Sequence, residues 1–239
     1  MITSTSIHLT REVWDNTKSQ LNTLLRDHMA PNFRTSLYEN IEAIASWAHQ
    51  NSVLLARLAI EFDTKDIGTY STVHALHCAS ICSLIAAKQG WGQEKTRGLI
   101  GAALTMNIGI LELQDALAQR PDGPTVSERM LISQHPAIGA YMLRAAGIVD
   151  EQWLSAITQH HEDLDGNGYP SRMNNPIDLA RILRHVDVFT AKHSPRSGRA
   201  ALPALTIKND LVNMASKDPE ISSLFQGLYS ESTRVPLWR

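Results

Sequence analysis

Apolar residues recur at intervals of three and four along most of this chain, and this spacing constrains its fold more than any other feature. Such spacing is typical of amphipathic or buried helices. Five segments show it: "LYENIEAIASWAHQNSVLLARLAI", "HALHCASICSLIAAKQGW", "EKTRGLIGAALTMNIGIL", "SERMLISQHPAIGAYMLRAAG" and "DEQWLSAITQHHE". No convincing run of alternating strand residues appears. The sequence therefore predicts an all-α protein.

Residues that begin and end helices support this prediction. Thr125 and Glu128 have the spacing of a capping box, and Asp150 is placed to cap the next helix. Three glycines lie where helices should stop: Gly90, Gly123 and Gly147.

The N-terminal part of the chain differs in composition from the rest. Residues 1–45 carry many polar side chains and a break at "APNFRTS", where Pro31 disfavours a continuous helix. We predict a helical extension over 1–45, which either packs on the core or forms a dimer contact. Residues 46–239 are predicted to form one domain that ends in a helical tail.

Charge and hydropathy restrict the partners of the chain. The net charge of −2 and the pI of about 6.5 argue against a broad surface for nucleic acid or anionic membrane. The longest apolar stretches that we noted are too short or too interrupted to cross a bilayer, and the N-terminus lacks a signal-peptide pattern. We therefore expect a cytoplasmic protein. Cys78 and Cys82, four residues apart on one helix face and without a CxxC motif, are expected to be buried, inert thiols.

Histidines and acids are the candidates for chemistry, because neutral imidazole is a common ligand of transition metals. The histidines of interest are His74, His135, His160 and His161, and the acids that accompany them are Glu162, Asp163, Asp165 and Asp187. Adjacent histidines in a regular helix point roughly 100° apart, so His160 and His161 can share one metal only near a helix end. "DLDGNGYP" supplies such an end, since Gly166 and Gly168 permit unusual backbone conformations and Pro170 bars simple continuation. From spacing alone, a surface turn with solvated histidines explains the segment equally well.

Several ordered motifs resemble the HD-GYP family of the HD phosphohydrolase superfamily. "HHEDLDGNGYP" is similar to the family signature HHExxDGxGYP, "TYSTVHALHCASI" to its YTxxHSxxVA helix, and "PIDLARILRHVDVFTA" to its IPLxARIxxVADxFDA helix. The segment that ends in "HPAIGAYML" is similar to the one that ends in the HPxxG helix of the family. The likeness covers about residues 50 to 200. It implies an HD-domain-like helical bundle, in which active members hydrolyse cyclic di-GMP at a two-metal or three-metal centre.

The chain departs from the family where the name-giving residues should stand. The family reads AALLHDIGK and this chain reads "AALTMNIGI", so Met106 replaces a ligand histidine, Asn107 the bridging aspartate and Ile110 the active-site lysine. A neutral amide is a poor bridge between two cations, and a thioether is a soft, weak ligand for iron or manganese. We therefore expect the two-metal cluster to be severely weakened or absent, and we assign no catalytic residue.

The resemblance implies unequal metal subsites. His135, His160 and His161 would hold one divalent ion, completed by water or Asn107, with iron, manganese, nickel and zinc as the candidates and an empty site as the alternative. His74 and Asp187 would remain at the other subsite without the third ligand that Met106 replaces. Tyr70 stands where trinuclear members carry a glutamate, so no third metal is expected.

The substrate-facing positions are also mixed. The family often carries RPYR or RPYK after its last metal aspartate, and here "RSGR" keeps Arg196 and Arg199, which would contact guanine or phosphate together with Tyr169. A solvated basic loop is the alternative. Thr190 replaces the second aspartate of the DxFDA motif.

Three functional hypotheses remain open. The first and favoured one is a degenerate HD-GYP protein that acts in cyclic di-GMP signalling or related regulation by binding nucleotide, metal or a signalling protein, with a homodimer as one option. The second is an active phosphodiesterase with a rearranged mononuclear site of His135, His160 and His161, in which His74, Asp187 or Glu162 manages protons. The third is a helical adaptor whose histidines are structural.

Overall fold

A computed structural model describes residues 8–201, 218–221 and 223–224, and within them it is helical, without a strand. The α-helices are α1 (Arg11–Arg26), α2 (Phe33–Gln50), α3 (Ser52–Leu58), α4 (Tyr70–Lys88), α5 (Gln93–Thr105), α6 (Leu111–Ala118), α7 (Val126–Ala145), α8 (Glu151–Gln159) and α9 (Asp178–His193). Short 3-10 helices span Thr64–Thr69 and Ile108–Ile110. The all-α prediction is confirmed. The predicted C-terminal helical tail lies largely outside the described residues.

The predicted helix boundaries are mostly correct. Thr125 and Glu128 form the capping box of α7, and the side chain of Asp150 accepts a hydrogen bond from the Trp153 amide at the start of α8. Gly90 and Gly147 end α4 and α7 with positive φ, where glycine avoids a Cβ clash. Gly123 instead lies in the loop between α6 and α7.

Two of the predicted continuous helices are interrupted. Asn51 ends α2, and its side chain caps α3 by accepting a hydrogen bond from the Leu54 amide. The segment "EKTRGLIGAALTMNIGIL" is helical only through Thr105, after which the chain tightens into the 3-10 turn at Ile108–Ile110. Apolar spacing could not show this turn, because its isoleucines are buried or half-buried like the apolar residues of the helix before it.

Helix α4 is the centre of the bundle. It packs against α1, α2, α3, α5, α6 and α9, and every residue from Tyr70 to Ala86 is buried. The stretch Thr64–Lys88 is, by length and composition, also apolar enough to cross a membrane. Because 94% of its apolar window is buried inside the protein, it has the character of a core helix.

The N-terminal helices share the core of the bundle. Trp14, Leu21 and Leu25 of α1 are buried, as are six residues of α2. These side chains belong to the same apolar cluster as those of α4 and α5. Of the two arrangements open for this segment, the structure therefore shows packing on the core.

Candidate metal centre

Three buried or half-buried histidines meet between α7 and the end of α8. His135 lies in α7, and His160 and His161 follow the last regular residue of α8, as the helix-end argument required. One donor atom of each lies within 4.8 Å of those of the other two. Their Nε2 atoms approach closely in one pair, with 3.2 Å between His135 and His160.

The backbone fixes which nitrogen of two of these rings is free. Nδ1 of His135 lies 2.5 Å from the Ile132 carbonyl, and Nδ1 of His160 lies 2.6 Å from the Ile157 carbonyl. A carbonyl only accepts, so Nδ1 carries the hydrogen in both rings and Nε2 carries a lone pair. Two lone pairs 3.2 Å apart repel unless a cation lies between them. The cluster therefore fits a divalent metal, with Nδ1 held by carbonyls as in established metal sites.

The charge state of the cluster also suits a metal. Burial, together with the neighbouring His160, lowers the pKa of His135 to about 3. Burial also lowers the pKa of His160 and, well below its usual range, that of His161. All three rings are therefore neutral at neutral pH, which is the form that binds metals.

The loop after His161 is fixed by backbone contacts. A Cβ on Gly168 would lie 2.4 Å from Cα of Glu162, so only glycine fits this position. The buried carboxylate of Glu162 accepts hydrogen bonds from the Ser171 and Met173 amides, at 2.6 and 3.1 Å. The ring of Tyr169 stacks on His161, with 4.5 Å between centroids.

His74 and Asp187 form a second group beside the first. Nε2 of His74 lies 2.8 Å from Oδ1 of Asp187, which joins α4 to α9. Burial raises the pKa of Asp187, but its hydrogen bond with His74 outweighs this and leaves the pKa lowered. The Cys78 thiol reaches the same Nε2 at 3.5 Å. Sequence reasoning missed this contact, although the interval of four residues on one helix could have indicated it.

The three replaced family positions lie at the 3-10 turn after α5. Met106 is fully buried within the apolar cluster, Asn107 is 6% exposed and Ile110 is half-buried. A Cβ on Gly109 would lie 3.2 Å from the carbonyl of His135, so the turn packs directly on the helix turn that carries this histidine. The chain thus carries a thioether and an amide directly before this turn, where the HD-GYP motif has an imidazole and a carboxylate.

The arginine segment folds into a tight turn near the start of α4. Arg196 and Arg199 exchange backbone hydrogen bonds of 2.8 and 2.9 Å, and the turn between them is docked on α6 by the hydrogen bond that the Ser197 amide donates to the Ala118 carbonyl. Arg196 donates to the Tyr70 hydroxyl at 2.6 Å and lies over its ring, which in turn stacks on His74.

The two arginines have different surroundings. The guanidinium of Arg199 donates to the Ala191 carbonyl at 2.5 Å, close to the C-terminal end of α9. Nε of Arg196 is buried without a partner. Arg196 is therefore the better placed of the two for a ligand near His74, and a nucleotide contact by either arginine or Tyr169 stays a prediction.

Of the four acids considered at first, Asp187 forms a hydrogen bond with a histidine of the site. Glu162 is bound to the loop amides, and a role for it in proton transfer stays a prediction. Asp163 pairs with Arg184 at 2.8 Å, and Asp165 accepts from the Asn167 amide at 3.1 Å. Spacing along the chain could not separate loop-fixing acids from ligands, because both functions use the same side chains.

Comparison with known proteins gives the fold and the motifs a family context. A family model described as HD domain matches residues 47–221. The chain is 30% identical over 151 residues to the cyclic di-GMP phosphodiesterase response regulator RpfG of Xanthomonas campestris, which covers 62% of this chain and 39% of that protein. It is 31% identical over 177 residues to 3'3'-cGAMP-specific phosphodiesterase 3 of Vibrio cholerae, which covers 70% of this chain and 38% of that one. The matched regions therefore span about two-fifths of the length of these relatives.

A solved structure supports the same fold. Bd1817, described as a HDG"Y"P protein from Bdellovibrio bacteriovorus, superposes with a TM-score of 0.69 at 18% sequence identity. The superposition covers 96% of this chain and 75% of that one. At this identity the likeness concerns the fold alone.

Proposed function

Since the chain belongs to the HD domain family and carries the motifs of its HD-GYP group, we propose that it is an impaired HD-GYP protein of cyclic dinucleotide signalling. It binds a cyclic dinucleotide or a protein partner and hydrolyses the nucleotide poorly. The relatives named as cyclic di-GMP and 3'3'-cGAMP phosphodiesterases supply the ligand class.

One observation carries the proposal: the buried residues Met106 and Asn107, just before the turn that packs on the His135 backbone, stand where the HD-GYP motif has histidine and aspartate. Two-metal phosphoester hydrolysis depends on paired cations that activate water and hold phosphate oxygens. An amide cannot supply the negative charge that keeps two cations together, and a buried thioether is a weak ligand. His74 and Asp187 pair with each other, in keeping with a site that lacks its third ligand.

The intact histidine cluster supports retained metal binding. His135, His160 and His161 would hold one divalent ion, which would act as a Lewis acid toward a phosphate oxygen when bound. Tyr169 on His161 and Arg196 on Tyr70 border the two histidine groups and would contact base or phosphate. Regulation through a signalling protein or through a homodimer belongs to the same proposal.

The test compares turnover in the wild type with turnover in a restored site. Purified wild type, supplied with Mn²⁺, Fe²⁺ or Ni²⁺, is assayed on cyclic di-GMP and 3'3'-cGAMP beside the triple variant Met106→His, Asn107→Asp, Ile110→Lys. We expect the restored site to bind more metal and to turn over at least ~100-fold faster, in line with the two to four orders of magnitude that such groups contribute. Calorimetry with the same nucleotides measures binding, and Arg196→Ala is expected to weaken it.

The opposing outcome is an active mononuclear enzyme, which the intact histidine cluster favours. In that case wild type would match the restored variant, and His160→Ala would abolish its turnover. His49→Ala, which changes an exposed histidine of α2, is the matched control. This pattern would overturn the proposal.

A further inference from the structure

Two side-chain atoms that can bind a metal contact the same ring nitrogen of His74. Sγ of Cys78 lies 3.5 Å from Nε2 of this histidine, and Oδ1 of Asp187 lies 2.8 Å from the same atom. His74 is 1% exposed, Cys78 is fully buried and the side chain of Asp187 is 15% exposed. The ring nitrogen of His74 therefore contacts a sulphur atom and an oxygen atom in the protein interior.

The local geometry of α4 brings the first two donors together. Residues four apart on a helix lie one above the other on the same face, and His74 and Cys78 have this spacing. The hydrogen bond from α4 to α9 adds the carboxylate. The set is joined through His74 and is looser than the three-histidine cluster, in which all three donor atoms lie within 4.8 Å of one another.

The Cys78 thiol can supply a ligand and a negative charge, which the replacements at Met106 and Asn107 removed. If Met106 removes one ligand from this subsite, His74 and Asp187 leave it with two. A thiolate from Cys78 would bring the number of protein ligands to three. It would also add a negative charge, whereas the replacement of the family's aspartate by Asn107 removes one. Sulphur also changes the preference of the site, because soft thiolates select zinc-like ions over manganese or magnesium.

We propose that Cys78 is a metal ligand, and that His74, Cys78 and Asp187 form a second site that takes zinc or a similar thiophilic divalent cation. The proposal rests on the proposed function in one respect, the loss of the ligand at Met106. When the cation binds, the thiol loses its proton to solvent and the sulphur coordinates as thiolate. This site lacks the bridging carboxylate of a paired-cation centre, so it acts as a separate site.

Cobalt(II) tests the proposal, because a cobalt–thiolate bond gives a charge-transfer absorption band that histidine and carboxylate ligands do not give. The chain contains two cysteines, so Cys82→Ser leaves Cys78 as its single thiol. Metal-free Cys82→Ser protein is titrated with Co²⁺, and absorbance and bound cobalt per chain are measured. We expect the band to appear with about two ions per chain, one at each site.

Further variants assign the band to this site. In the Cys82→Ser background, His74→Ala is expected to remove the band and weaken the second ion by ~100-fold or more, while His135→Ala leaves the band in place. Cys78→Ser, with Cys82 retained, is expected to show no band and about one ion per chain. Titration with Mn²⁺ is expected to reach about one ion in every chain that keeps the histidine cluster.

Two results of the cobalt titration would contradict the assignment of Cys78 as a ligand. Absence of the band from cobalt-saturated Cys82→Ser protein overturns the assignment of Cys78, and so does a band that survives His74→Ala. Neither result alters the turnover comparison, which tests the proposed function. Conversely, rapid nucleotide turnover by wild type would overturn the proposed function and leave the cobalt band unchanged.

Discussion

The histidines of this protein owe their roles to individual backbone contacts. His135 and His160 each present Nε2 because a carbonyl three residues earlier holds Nδ1. His74 has no such contact, since its Nδ1 is buried without a partner while Nε2 contacts Asp187 and Cys78. His135 and His160 are therefore oriented to bind a metal through Nε2, whereas His74 belongs to a looser group with Asp187 and Cys78.

Gly168 is the residue on which the loop beside the cluster depends most directly. Gly168→Ala would bring a Cβ within 2.4 Å of the Glu162 backbone, and no flexible side chain is available to move away. We expect a loss of about 1–3 kcal/mol of unfolding free energy, together with weaker metal binding, because the loop carries Tyr169 onto His161. Urea unfolding and metal titration measure the two effects.

Gly123→Ala is the matched control for this change, because a Cβ there would meet nothing within 4 Å. We expect it to leave both quantities within about 0.5 kcal/mol of wild type. Equal effects of the two substitutions would contradict the close approach at Gly168.

At the scale of elements, α1 is held to the bundle by a polar contact as well as by apolar packing. Arg26 of α1 pairs with the buried carboxylate of Asp115 in α6. The second oxygen of that carboxylate accepts a 2.7 Å hydrogen bond from the Ser71 amide in the first turn of α4. Asp115 thus joins three helices, and one of them carries His74.

Asp115→Ala should be strongly destabilising. It would leave the half-buried Arg26 charge without its carboxylate partner and the Ser71 amide without an acceptor, for which we expect a loss of about 3 kcal/mol. Chemical denaturation measures it. Glu151→Ala breaks the exposed pair with Arg144 and should cost less than about 1 kcal/mol; similar losses for both would refute the bridging role of Asp115.

The contact between α1 and α4 predicts a pH dependence. His77 stacks on Trp14, its Nε2 has no partner, and burial lowers its pKa to about 3. The unfolded chain therefore takes up the extra proton as pH falls below 6.5. The contribution of His77 to the free energy of unfolding is therefore fully present above that pH. It is lost as the pH falls, by about 2 kcal/mol at pH 5.

His77→Phe keeps the ring contact and removes the titrating group. Urea unfolding in the presence of a chelator at pH 8 and pH 5 compares the variant with wild type. We expect the variant to lose about 2 kcal/mol less than wild type over this range. Parallel losses in both proteins would show that His77 does not titrate as inferred.

At the scale of the whole molecule, the N-terminal helices and the family domain share one core. The family model begins at residue 47, yet α1 packs on α4, and residues 8–26 bury the side chains of Leu9, Trp14, Leu21 and Leu25. A segment outside the family match therefore supports the helix that carries His74 and Cys78.

Removal of α1 should consequently disrupt the fold. A chain that begins at residue 28 exposes the covered face of α4 and loses four buried apolar side chains, each worth about 2–5 kcal/mol. We expect the shorter chain to lose the cooperative unfolding transition that the wild type shows when unfolding is followed by circular dichroism. A cooperative transition with an unchanged midpoint in the shorter chain would show that α1 is separable.

The amino-acid sequence determined the features that depend on neighbouring residues. Apolar spacing, capping residues and glycines specify helices locally, so the all-α class and most boundaries were predictable. The order of motifs likewise indicated the three-histidine cluster and the departure from the family at Met106 and Asn107.

Only the tertiary structure decided which side chains meet across helices. That Glu162 accepts hydrogen bonds from loop amides and that α1 packs on α4 both depend on contacts between residues that local patterns do not relate. Cys78 shows the limit most clearly. Its distance of four residues from His74 is visible in the sequence, but its burial beside the carboxylate of α9 follows from the packing of α4 against that helix, which no local pattern encodes.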